Sequence, residues 1–265
     1  MQKALSALLA VALAFALTAC GAKQNNQTTA GNHLAAIKQK GTIVLGTSAD
    51  YPPYEFHKTE GGQDKIVGWE IELAEQIAKD LGVKLEIRDI PFDNLIPELQ
   101  AGKVDFVVSA LTITEKRAKS VDFTDPYWRG GQVILAAADK AGAITTAADL
   151  KGRRVAVQLG STGEAEAQKV QGAQLVQLDK FEAAVMEVLS GKADAVIAGY
   201  TVAKNYEKNN PKLKIAGPPL STEDNGIAVK KGDKELLAAI GSSLAKLKGA
   251  PLDAMVKKYE AVEAK

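Results

Sequence analysis

Two short stretches carry residues suited to holding an anion. The first, Thr112-Ile113-Thr114-Glu115-Lys116-Arg117, ends in a guanidinium whose planar fork matches a carboxylate bidentately. Arg117 taken alone reads equally as an exposed helical arginine pairing with Glu115 or Asp122. The second, Gly160-Ser161-Thr162-Gly163, joins a strand pattern to a helix pattern. Its small residues let backbone N–H groups approach a negative charge, and Thr162 adds a hydroxyl. It lacks the lysine of a phosphate-binding P-loop and the spacing of a dinucleotide fingerprint, so it is an anion loop or a tight turn.

Nucleophilic and metal chemistry find little support. The chain has one cysteine, Cys20, and two histidines, His33 and His57. His33 falls in a polar linker and His57 stands alone, so no Ser-His-Asp triad and no histidine-rich metal site is expected. No cofactor is implied. The net charge of +1, with acids and bases interspersed, excludes the concentrated basic face that nucleic acid requires.

The elements that must position these residues begin after an unusual amino terminus. Lys3 precedes an apolar run from Ala4 to Ala19, a signal peptide by length and flanks, expected to be removed as residues 1–19. The run ends in Leu17-Thr18-Ala19-Cys20-Gly21, which resembles the lipobox of bacterial lipoproteins and implies lipidation of Cys20 and a membrane anchor outside the cytoplasm. A plain secreted protein cut near Ala19 is the alternative. Residues 20–33 are polar and aperiodic, a tether that cannot offset the cost of ordering.

From Leu34 onward, strand and helix alternate. Thr42 to Thr47 is rich in β-formers, Trp69 to Leu81 has helical spacing stopped by Gly82, and Val83 to Ile87 alternates. Asp93 is expected to cap a helix through Leu99, followed by a buried strand from Val104 to Ser109. The grammar then repeats. Glu98 to Thr112 (ELQAGKVDFVVSALT) and Glu187 to Thr201 (EVLSGKADAVIAGYT) share Glu, Gly, Lys, Asp, Val and Thr at equal positions. Two related lobes follow, with parallel sheet built from βαβ units. Lobe 1 is expected over 34–127 and 227–265, lobe 2 over 131–222, and a hinge near 127–131 and 223–227. A cleft lies between facing strand ends, where ligands bind.

The stretches GTSADYPPYEF, VGWEIELAEQIAKDLG, the segment 91–127, LKGRRVAVQLGSTGE, GKADAVIAGY and STEDNGIAVKKGDKEL resemble, in this order, the family 3 solute-binding components of bacterial ABC importers. The resemblance implies an α/β fold of the type II periplasmic-binding-protein class, two lobes on a two-stranded hinge that closes on a ligand. It implies capture of a small amino-acid-like carboxylate, an ABC permease as partner, a monomer, and no catalysis. A ligand sensor without transport, and a dehydratase built on the same scaffold, are the alternatives. Neither the chain's histidines nor a visible acid with a raised pKa supports the enzyme.

By the same resemblance, Arg117 anchors the ligand carboxylate with Thr112 and the backbone of Ser109 and Ala110. Ser161 and Thr162 reach it from across the cleft, and Gln158 meets the ligand side chain. Tyr51 and Phe92 align with aromatic walls and Ser48 with a polar contact. Trp69 reads as packing, and Trp128 as packing or contact. One position departs: where relatives carry an Asp for the α-ammonium group, this chain has Gly199. Either Glu164 or Asp224 substitutes, or the ligand lacks a free α-ammonium.

Overall fold

The computed structural model describes residues 33–260, with the side chain of Glu260 left aside. The expected signal peptide, Cys20 and nearly all of the expected tether lie outside the described residues. Among the described residues no helix is long and apolar enough to cross a membrane.

The first half runs α1 (His33–Lys40), β1 (Thr42–Thr47), β2 (Asp50–Tyr51), β3 (Glu55–Glu60), β4 (Gln63–Val67), α2 (Trp69–Leu81), β5 (Lys84–Asp89), α3 (Leu95–Gln100), β6 (Phe106–Val107), α4 (Glu115–Ala118) and β7 (Val121–Phe123). Next come β8 (Trp128–Gly130), β9 (Gln132–Ala137), α5 (Ala138–Ala141), β10 (Arg154–Gln158), α6 (Thr162–Gln168), β11 (Gln174–Leu178), α7 (Phe181–Leu189), β12 (Ala195–Gly199), α8 (Tyr200–Asn209) and β13 (Leu213–Ala216). The chain ends with β14 (Glu223–Asn225), β15 (Ala228–Lys230), α9 (Lys234–Leu247) and α10 (Ala250–Glu260).

Two five-stranded sheets result, ordered β5-β1-β6-β15-β7 and β11-β10-β12-β9-β13. In each, three strands are parallel, as the βαβ spacing requires. The rest are antiparallel additions, which periodicity alone does not announce. The strand returning from the far end of the chain, β15, enters the first sheet between β6 and β7. Between the sheets, β8 and β14 form their own antiparallel pair, Trp128 opposite Asn225 and Gly130 opposite Glu223. The chain thus crosses twice between two α/β lobes.

Local chemistry explains the elements that hold the site. Helix α2 buries Trp69, Leu73, Ala74, Ile77 and Ala78. It stops at Gly82, whose φ of 72° is a left-handed cap that glycine adopts without steric cost. Its apolar stripe also carries Glu70, fully buried, which the helical spacing conceals. Trp69 is surrounded by Tyr54, Tyr127 and Trp128, with ring centroids 4.7, 6.0 and 5.4 Å away. Trp69 is therefore packing, as expected.

Four expectations are revised. The helix foreseen from Asp93 to Leu99 is a 3₁₀ turn over Phe92–Asn94 leading into α3, so Asp93 lies inside the turn and does not cap it. The strand foreseen over 104–109 is two residues long, because Ser109 to Thr112 turns away to form the cleft wall. His33 does not lie in a tether; it opens α1 and bonds Asp233 through Nδ1 and Asp105 through Nε2 at 3.0 Å. Those bonds, Asp105 first, outweigh partial burial and raise its pKa to about 9. His57 likewise is not alone, since it pairs with Asp64 and Asp89 at 2.7 and 3.2 Å.

Candidate functional site: the cleft between the lobes

A cavity opens where the two lobes meet, and nine of the eleven sequence-selected residues line it: Ser48, Tyr51, Phe92, Ser109, Ala110, Thr112, Gln158, Ser161 and Thr162. Asp50, Glu55 and Gln132 complete the wall without having been anticipated. Asp50 follows Ser48 through a tight turn in which its amide donates to the Ser48 carbonyl at 2.9 Å, so no alternation announced it. Gln132 gave no signal, since its place follows from pairing opposite Gly199.

Arg117 and Gly199 stand apart from that wall. Arg117 sits on α4, whose start is capped by Thr114 accepting from the Arg117 amide at 3.1 Å. Its guanidinium donates to the Thr112 carbonyl at 2.8 Å and, across the cleft, to the Gly160 carbonyl at 3.0 Å. It lies 5.3 Å from the centre of the Phe92 ring, a cation–π distance. Burial pulls its pKa down to about 10, so it stays charged at neutral pH. Neither suggested surface pairing forms; Asp122 binds Lys231 instead. Arg117 borders an adjoining stretch of cleft together with Gly160, Ser161 and Thr162. It thus presents positive charge to the threonine side of the cavity.

The Gly160–Gly163 loop is organised differently from an anion nest. The Gly160 amide donates to Glu164 at 2.8 Å, and Ser161 caps α6 by accepting from the Glu164 amide at 3.0 Å. Only Thr162 turns its hydroxyl to the cleft, 3.5 Å from that of Thr112 in the facing lobe. Glu164 also accepts from Gln168 and Gln177. Its oxygens are consumed within lobe 2, which removes it as a substitute for the missing acid. Asp224 is removed as well, being held by Arg129 at 2.7 and 3.1 Å.

Gly199 ends β12, and its amide donates to the Tyr51 hydroxyl at 2.7 Å. A Cβ at 199 would lie 2.9 Å from that oxygen. A side chain there collides with an aromatic wall of the opposite lobe, so Tyr51 and Gly199 are matched in size. Burial pushes the Tyr51 phenol pKa upward and keeps its proton.

The opposite end of the cavity is acidic. Asp50 is 3% exposed and accepts from the Phe181 amide at 2.7 Å, at the start of α7, and from Gln158 at 3.3 Å. Desolvation lifts its pKa to about 6, leaving it mostly ionised at pH 7. Behind it, Glu55 accepts from Ser109 at 2.9 Å, while Glu70 accepts from Tyr127 at 2.6 Å and from Ala110 N at 2.9 Å. Burial, then the charge of Glu70, drives the Glu55 pKa well up, and its second oxygen has no conventional donor. A protonated Glu55 donating to Glu70 accounts for both facts. Ala110, held from Glu70 on one side, adopts φ 43°, a left-handed conformation uncommon for a residue with a Cβ.

Arg117 and two threonine hydroxyls at one end, the hydroxyls donating to Glu223, and Asp50 at the other make a polar cleft between two lobes. The model of the bacterial extracellular solute-binding proteins, family 3, matches residues 43–261. The chain belongs to that family. Among solute-binding relatives, the L-cystine-binding protein TcyJ of Escherichia coli is 32% identical over 229 residues, 85% of each chain. The arginine-binding extracellular protein ArtP of Bacillus subtilis is 35% identical over 265 residues, 98% of each chain. The crystal structure of AbpA, an amino-acid ABC transporter substrate-binding protein of Streptococcus pneumoniae bound to L-arginine, superposes with a TM-score of 0.83. It is 35% identical, and the match covers 85% of this chain and 97% of that one. These matches bear out the type II fold of two α/β lobes and the role of a solute-binding component; the similar proteins are binding proteins rather than enzymes.

Proposed function

We propose that this chain binds an amino acid with a cationic side chain and delivers it to an ABC permease. In this reading it acts as a monomer tethered outside the cytoplasm by a lipid on Cys20. The observation that carries the ligand class is the polarity of the cavity. The adjoining Arg117, with the Thr112 and Thr162 hydroxyls once they turn from Glu223, supplies donors for a carboxylate. Asp50, ionised and nearly enclosed at the other end, supplies an acceptor for a distal cation. The arginine-bound relative supports the same choice. Strands β8 and β14 serve as the hinge, and closure brings Gly160 to Arg117, Phe181 to Asp50 and Gly199 to Tyr51.

Asp50 and Glu55 are acids of the wall with raised pKa values, Glu55 sharing its proton with Glu70, and Asp50 is the one that revives the dehydratase alternative. It accepts from the Phe181 amide and Gln158 across the cleft and from Ser48 within lobe 1, donors that favour the ionised acceptor over a carboxyl holding a proton for transfer. We therefore read the protein as a receptor without catalysis.

Isothermal titration with L-arginine, L-glutamine and L-cystine tests the ligand class, with L-arginine expected to bind most tightly. Arg117→Ala should weaken binding on the order of 100-fold, the scale for truncating one partner of a buried charge contact. Unchanged affinity in that variant sinks the assigned anchor, and preference for a neutral amino acid sinks the cationic class.

A further inference from the structure

An α-amino acid carries its ammonium group two bonds from its carboxylate. An acceptor for the ammonium must therefore stand within a few ångströms of the donors that hold the carboxylate, and Gly199 offers no side chain there. We propose that Glu223, on the crossing strand β14, is the acceptor for the ligand's α-ammonium group. This rests on the amino-acid reading above.

The placement of Glu223 is specific. Its Oε2 accepts from the Thr112 hydroxyl in lobe 1 at 2.8 Å and from the Thr162 hydroxyl in lobe 2 at 2.8 Å. The same oxygen accepts from Gln132 Nε2 at 3.2 Å, and Oε1 accepts from Ser221 at 3.0 Å. Gln132 is the strand partner of Gly199, so this carboxylate stands beside the strand end that lacks an acid. Among the described residues, Glu223 is the carboxylate bonded to both cleft threonines, and all four of its hydrogen-bond partners are neutral. Among the described residues it forms no direct salt bridge, and the Arg117 guanidinium is the cation near enough to feel its charge.

That arrangement sets up an exchange of partners. When a ligand carboxylate enters, the two threonine hydroxyls rotate to donate to it, alongside Arg117. Glu223 Oε2 then loses two donors, and the ammonium group supplies replacements with opposite charge. Each charge of the ligand meets its complement, and neither is left unpaired in the closed cleft. Because Glu223 belongs to a strand joining the lobes, its acceptor is in place whether the lobes are open or shut. An acid at the end of β12 would arrive only on closure.

The test compares L-arginine with 5-guanidinopentanoate, which keeps the carboxylate and the guanidinium and lacks the α-amine. Titration calorimetry on the wild type should favour L-arginine by about tenfold or more, the scale of a charge-assisted contact. In Glu223→Gln that preference should vanish: L-arginine weakens about tenfold while the analogue binds as before, which also shows the variant to be folded. Glu223→Asp, which keeps the charge on a shorter stem, should retain part of the preference. The proposal is overturned if Glu223→Gln preserves the wild-type preference, weakens both ligands equally, or tightens both. Equal weakening would mark Glu223 as a brace for the threonines. Tightening would show that its carboxylate competes with the ligand's for the same donors. Wild type binding neither compound overturns the amino-acid reading itself, and this proposal with it.

Discussion

The segments 98–112 and 187–201, 89 positions apart, share more than a pattern of residue types. In both, a helix is followed by a glycine of positive φ, 70° at Gly102 and 73° at Gly191. A lysine then reaches back to the helix, Lys103 to Glu98 at 2.7 Å and Lys192 to Glu187 at 3.5 Å. The aspartate before the strand does the same work in each lobe. Asp105 accepts from the Val44 amide at 2.7 Å and pairs with His33; Asp194 accepts from the Arg154 amide at 2.8 Å and pairs with Lys140. The copies part where their strands end. In lobe 1 the chain leaves β6 into Ser109–Thr112, a polar turn facing the cleft. In lobe 2, β12 runs straight into α8 at Gly199, and the cleft receives a bare backbone amide. The shared part builds the sheet, and the exits carry the recognition.

The largest effect should come from the shared part. Asp105→Asn should cost about 2–3 kcal/mol in urea unfolding, since it removes a charge bonded to the amide of buried Val44 and to a cation. Asp194→Asn should cost about 1–2 kcal/mol, because its amide partner Arg154 is exposed. A negligible loss in one lobe would end the equivalence drawn between them. Next, Gly199→Asp should weaken ligand binding by about tenfold by colliding with Tyr51, and Tyr51→Phe should restore much of it in the double variant. An unimpaired single variant would show that the exit in lobe 2 tolerates a side chain after all.

The smallest effect separates the two aspartates by their cations. A histidine whose pKa is raised from 6.5 to about 9 contributes stability that is complete below pH 6.5 and is lost as pH rises through about 9. With a third of its side chain exposed, solvent screening reduces the expected loss to about 1 kcal/mol. Denaturant midpoints of wild type should therefore fall across that window, and His33→Gln should flatten the fall. An equal slope in the variant would detach His33 from the aspartates.

Much of the frame was legible beforehand, for a physical reason. β1 and β10 are short runs of β-formers buried on both faces, and α2 keeps the helical period that one buried face imposes and ends at Gly82 as its pattern predicts. Strand β13 was foreseen at Leu213 to Ile215, whereas β9 escaped because it is placed by its partners β12 and β13. The hairpin of β3 and β4 escaped although its Gly61-Gly62 turn is a local signal. The cleft shows the same division. Nine wall residues could be aligned segment by segment, whereas Asp50, Gln132 and Glu223 acquire their meaning from contacts across the lobes and Glu55 from Ser109 and Glu70 within lobe 1. Glu223 is the sharpest instance. Nothing in Ser221-Thr222-Glu223 distinguishes a cleft acid from a solvated one until β14 is laid beside β8.

The stacking of Trp128 against Trp69 has a use outside binding. These are the two tryptophans of the whole chain, one on a crossing strand and one rooted in lobe 1, and neither indole N–H has a partner. Any bend at β8 must shift one indole against the other and alter the polarity around it. Intrinsic ultraviolet emission then reports the closing motion directly, and stopped-flow traces could time it in the unlabelled protein.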